Sequence, residues 1–145
     1  MSSGPSRYGH RGYIGSRPYD DARVPQHVQN LVIRDYCQRH GHAFLLSATE
    51  YAMPACYMML EEVIREAPTL DGVVLYSLFM LPERPERRRD ICQRILAAGA
   101  SLHGAVENLT IRSEDDLESI EDVWRVRHLA FGAIPAVALR TEGDG

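Results

Sequence analysis

The sequence predicts one α/β domain: a single open, mostly parallel sheet of four or five strands with helices on both faces. Three observations carry this. Short apolar runs alternate with longer stretches of helical spacing, the pattern of strands joined by crossover helices. Gly or Pro punctuates most of the junctions between them. The chain has 145 residues, with 45% hydrophobic and 25% charged residues, ordinary for a domain able to bury roughly 70% of its unfolded surface.

In order along the chain, residues 1–10 read as a loose tail, rich in Ser and Gly. A short strand at 11–14 leads into the loop Gly15-Ser16-Arg17-Pro18-Tyr19-Asp20-Asp21. A helix is predicted over 23–39, from Val24, Val28, Leu31, Val32 and Tyr36 at helical spacing. Pro25 suits its first turn and Gly41 ends it. A short buried strand at 43–46 precedes a second polar loop, Ser47 to Met53. Pro54 then opens a helix with Met53, Tyr57, Leu60 and Ile64 on one side, and Pro68 stops it. The apolar run 73–81 is the central strand. A basic helix at 86–98 follows, with Ile91, Ile95 and Leu96 inward and Gly99 after its end. A fourth strand spans 101–106 and a short fifth 109–111. Ser113 and Asp116 begin a last helix in the manner of a capping box, with Leu117, Ile120, Trp124 and Leu129 on one face. The domain is drawn over 11–140, and 141–145 as a second tail.

Composition removes several kinds of chemistry. All 16 basic residues are arginine, so a Schiff-base lysine, pyridoxal attachment and a Walker-type phosphate loop are excluded for this chain acting alone. Genomic base composition is the plainer cause of that bias, and the exclusion holds either way. No G-x-G-x-x-G follows the first strand, and no cofactor is expected. The six histidines include no H-E-x-x-H, and His40 and His42 lack the spacing of a helical ligand pair, so no metal site is expected. Three scattered cysteines, Cys37, Cys56 and Cys92, read as packing in a reducing compartment. No signal peptide and no membrane span are visible, so the expected location is the cytoplasm. The net charge of −4 argues against a nucleic-acid partner. The arginine-rich run 84–94 reads as a solvated helix face.

In open parallel sheets, ligands bind beyond the C-terminal strand ends where strand order reverses. That places the candidate site in the loops 15–22, 47–53 and 77–84, with Glu107 and Asn108 nearby. Arg17 and Arg23 offer planar donors for an anion at a helix N-terminus, although ion pairs with Asp20 and Asp21 are the plainer alternative. Ser16, Gln26, Asn30, Ser47, Ser77 and Glu107 are candidate substrate-binding groups. His27, Glu50 and Tyr51 are candidate proton-transfer groups, against the plainer readings of a solvated histidine, a helix-capping Glu50 and a packed Tyr51. No serine lies in a G-x-S-x-G elbow.

From Gly12 to Asn108 the chain resembles the catalytic domain of serine recombinases. The resemblance rests on Gly12-Tyr13, a downstream glutamine in the first helix, the aromatic-Cys helix end from Tyr36 to Gly41, and the apolar third strand. It implies a flavodoxin-like or resolvase-like sheet. Those enzymes carry an arginine, a spacer and the nucleophilic serine after the first-strand tyrosine. Here Gly15 stands where the arginine is expected and Ser16 is shifted by one. The arginine-rich motif after the third strand is replaced by Ser77-Leu78-Phe79-Met80-Leu81-Pro82. The chain more closely resembles the "sporadic carbohydrate cluster" family of bacterial surface-polysaccharide loci. That likeness rests on Gly12-Tyr13-Ile14-x-Ser16-Arg17-Pro18, on 23–30 and on 46–54, and implies a role in building an unusual sugar. The expectation is therefore a cofactor-independent epimerase, isomerase or lyase acting by proton transfer on an anionic sugar. A non-catalytic sugar-nucleotide-binding or scaffold subunit comes second, and a recombinase-like DNA binder last. A homodimer through the last helix is admitted by analogy with recombinases.

Overall fold

The computed structural model describes residues 7–16 and 23–130. They fall into two compact units, one ending at Glu114 and one beginning at Asp115. The first holds a sheet of five strands: β1 (His10–Gly15), β2 (Phe44–Glu50), β3 (Gly72–Leu75), β4 (Ser101–Gly104) and β5 (Leu109–Ile111). Their order is β2-β1-β3-β4-β5. The first three pairings are parallel, and β4–β5 is an antiparallel hairpin. The predicted open, mostly parallel sheet is the sheet observed.

Three helices of this unit connect the parallel strands: α1 (Gln26–His40), α2 (Met58–Glu66) and α3 (Pro85–Ala97). Side chains alternate across a strand, and β1 shows which helix lies on which face. Ile14 packs with Ile33, Tyr36 and Cys37 of α1, while Arg11 points the other way to Glu66 of α2. The chain runs from β1 outward to β2, then returns past β1 to β3 and on to β4. Right-handed crossovers in these opposite directions put α1 on one face and α2 and α3 on the other. The strand order therefore reverses between β1 and β3, and a crevice opens beyond their C-terminal ends.

Four expectations shift. The buried stripe of α1 is Gln29, Ile33, Tyr36 and Cys37, one residue round from the predicted one, and Leu31 is exposed. The second strand continues through Ser47 to Glu50, because register with β1 (Tyr13↔Ala48, Gly15↔Glu50) extends the ladder over polar residues. An edge strand tolerates them. The third strand stops at Leu75, and a 3-10 turn (Leu78–Met80) follows. The second helix begins at Met58 rather than Pro54, leaving Met53 exposed. In α3 the buried residues include Arg88 beside Ile91, Cys92 and Ile95. The Arg88 Nη1 donates to the carbonyls of Pro82 (3.0 Å) and Glu83 (2.9 Å).

The second unit contains α4 (Leu117–His128), which buries Leu117, Ile120 and Trp124 and leaves Leu129 exposed.

Candidate functional site

The C-terminal end of β1 is fixed by a side chain that reading the sequence passes over. Gln29 is fully buried, a polar residue on the apolar stripe of α1. Its Oε1 accepts from the Gly15 N–H (3.1 Å), and its Nε2 donates to the carbonyls of Gly15 (2.6 Å) and Val24 (2.8 Å). One amide thus clamps both backbone groups of Gly15 and ties them to Val24, two residues before α1. Ser16 leaves this clamp at the rim of the crevice, half-buried. Arg23 is exposed, with a guanidinium N–H 3.5 Å from the Ser16 carbonyl. Gln26 and His27 are exposed in the first turn of α1, where amide groups give the helix end a partial positive charge. Arg17 lies outside the described residues.

Glu50 is buried, and its surroundings assign its role. The Tyr13 hydroxyl donates to it at 2.7 Å. The backbone N–H groups of Met59 and Leu60 (3.0 Å each) and Tyr51 (3.1 Å) donate as well. Met59 and Leu60 are the second and third residues of α2, so Glu50 caps that helix from the end of β2. Burial alone would raise its carboxyl. The Met59 N–H, Tyr13 hydroxyl, Leu60 N–H and Tyr51 N–H outweigh it and hold the carboxyl below the usual range. A carboxylate with both oxygens occupied and a depressed pKa is a poor base. Tyr51, beside it in sequence, is exposed.

The remaining candidates form two pairs. Ser47, on β2, donates to the Oδ1 of Asn30 on α1 (2.6 Å). The Ser77 hydroxyl donates to Glu107 (2.8 Å) and accepts from the Phe79 N–H (3.1 Å), and the other Glu107 oxygen accepts from the Leu78 N–H (3.0 Å). This pair locks the turn after β3 to the β4–β5 connection. Ser77 is buried. Of the two serines that follow the switch-point strands, Ser16 is the one with an accessible side.

A groove of about 550 Å³ lies elsewhere, between β2 and α2, lined by Arg11, Leu46, Ser47, Met59 and Glu66 among others. The Arg11–Glu66 ion pair spans it. Its position away from the switch point sets it apart from the site around Ser16.

No protein-family model and no curated protein matches the chain. Solved structures do. A resolvase family site-specific recombinase from Streptococcus pneumoniae superposes with a TM-score of 0.57 at 6% identity, covering 93% of this chain and 99% of that one. The N-terminal catalytic domain of TP901-1 integrase superposes with a TM-score of 0.59 at 11% identity, covering 86% and 98%. These likenesses establish the fold. They also correct the expected function: a carbohydrate epimerase, isomerase or lyase, or a sugar-nucleotide scaffold, finds no counterpart, and the neighbours share instead a recombinase-like fold. The engagement of Glu50 at the α2 terminus is the physical side of that correction. The chain has the resolvase-like α/β fold.

Proposed function

We propose that this chain is a serine-nucleophile phosphoryl-transfer domain acting on DNA, with Ser16 as the nucleophile. The observation that carries the proposal is the Gln29 clamp, which fixes the segment delivering Ser16 to the switch-point crevice. Precise attack on phosphorus needs a hydroxyl delivered from a rigid element, and the end of β1, tied to α1 at Gly15, supplies it before Ser16. The substrate class is taken from the structural neighbours, a site-specific recombinase and the catalytic domain of an integrase.

In this reading the Ser16 oxygen attacks the phosphorus of a phosphodiester. The new O–P bond forms as the bond to one sugar oxygen breaks. The serine proton is lost to solvent, and the departing sugar oxygen takes one up. Arg23 and the α1 N-terminus lie where they stabilise charge on the non-bridging oxygens. Attack by a sugar hydroxyl on the phosphoserine reverses the step, so no energy source is needed. The net charge of −4 bears on average attraction to a polyanion rather than on a local contact.

The test is incubation of the full chain with supercoiled plasmid and duplex pools at low salt. The proposal expects DNA breaks with protein attached, absent in Ser16→Ala. Salt-sensitive binding by wild type without any break would replace the enzyme with a DNA-binding module, the outcome that Gly15 in place of an arginine would explain. No binding and no breaks would refute the DNA reading altogether.

A further inference from the structure

At the opposite edge of the sheet the strands begin in a cluster of imidazoles. His10 opens β1, His103 lies on β4, and His42 sits two residues before β2. His10 stacks on His42 with ring centroids 4.0 Å apart, and His103 meets both edge-on at 5.3 and 5.1 Å. One nitrogen from each ring lies within 4.8 Å of the others. We propose that His10, His42 and His103 bind a divalent transition-metal ion of the zinc class, with water completing the coordination.

Two observations support a built site rather than a chance meeting. His10 and His103 are buried, and the Nδ1 of His10 has no hydrogen-bond partner, a cost that ligation removes. An imidazole-only set suits zinc, nickel or copper.

Hydroxyl groups surround His103. Its Nδ1 pairs with the Tyr36 hydroxyl (2.7 Å) and its Nε2 with the Ser101 hydroxyl (2.7 Å). Ligation exchanges one of these for the metal, and the other remains to orient the ring, as outer partners do in zinc sites. Gly72 at the start of β3 leaves the space open. A methyl group there would stand 2.7 Å from the Cδ2 of His10 and 3.0 Å from the Nε2 of His103. Zinc–nitrogen bonds of about 2.0–2.1 Å set nitrogen separations of roughly 3.3 Å, so the rings must close by at most about 1.5 Å. The half-buried His42 is the ring with room to move. A metal here would join β1, β4 and the α1–β2 turn at the end of the sheet remote from Ser16, as a structural site.

The test uses the full chain, demetallated and titrated with Zn²⁺, and with Co²⁺ as a spectroscopic probe. One equivalent should bind, raise the melting temperature and give the visible absorption of Co²⁺ ligated by imidazole. His42→Ala should weaken binding at least about 100-fold, and His27→Ala should leave it unchanged. Histidine-ring NMR of wild type answers independently of how the variants fold. Zn²⁺ should move the signals of His10, His42 and His103 and spare those of His27 and His128. Absence of stoichiometric binding, or ring shifts confined to other histidines, overturns the proposal.

Discussion

Replacing Glu50 by alanine removes the acceptor for five donors at once, the Cys56 thiol (3.7 Å) among them. Two of them, the Tyr13 hydroxyl and the Leu60 N–H, belong to fully buried residues. Leaving a buried donor unsatisfied costs about 1–3 kcal/mol each. Met59 is half-buried and Tyr51 exposed, so water can replace those two bonds. Their loss is closer to that of a helix cap, about 0.5–2 kcal/mol in all. The expected destabilisation is therefore about 2.5–8 kcal/mol, a large part of the 5–15 kcal/mol typical of a domain. Glu50→Gln keeps one acceptor oxygen but turns an NH₂ group toward a backbone donor, and should cost about 2–3 kcal/mol. Tyr13→Phe, which deletes one donor while retaining the ring, should cost about 1 kcal/mol. Urea unfolding of the three variants, followed by far-UV circular dichroism, gives these differences from the midpoints at constant m-value. A Glu50→Gln protein within about 0.5 kcal/mol of wild type, yet inactive, would refute the capping role and return Glu50 to the chemistry.

Acid should act through the same group. A carboxyl whose folded pKa is depressed contributes stability that is present above its unfolded value. That contribution is lost as pH falls through the folded one. Glu50→Gln should therefore narrow its stability gap to wild type as pH drops below the ordinary carboxylate value of 4.5, measured by urea midpoints across an acid series. Gln29→Leu fills the same volume but orphans both backbone groups of Gly15. A loss of about 2–4 kcal/mol is expected, with any DNA breakage falling together with Ser16 placement, as read on the plasmid assay. Gly72→Ala forces a methyl against the Ser101 hydroxyl at 2.5 Å and against His10 and His103. It should cost about 1–3 kcal/mol and abolish Zn²⁺-dependent thermal stabilisation while leaving plasmid breakage in place.

The sheet was legible because its strands announce themselves locally, as in the apolar run at Val73 to Leu75 and the glycine stop at Gly41. What escaped was set by distant partners. Ser47 to Glu50 look like a loop because they are polar, and only pairing with β1 makes them strand. Pairing also decides Glu50, since its role depends on where α2 begins, eight residues on. Gln29 did leave a signal. It stands with Ile33, Tyr36 and Cys37 on one helical stripe, and a polar residue at such a position demands a buried partner. Choosing the stripe one residue away hid it. The histidines at 10, 42 and 103 share no spacing motif, because three parallel strands bring their starts together whatever the intervening lengths. The same geometry gathers Ser16 and Ser77 at the opposite edge, which the strand-end rule did anticipate.

Peptide mapping of protein recovered from a nicked, self-trapping DNA duplex tests Ser16 as the nucleophile. A phosphodiester-linked nucleotide mass is expected on the peptide carrying Ser16, and none in Ser16→Ala. An adduct on another residue, or DNA cleaved with no protein attached, would contradict that assignment.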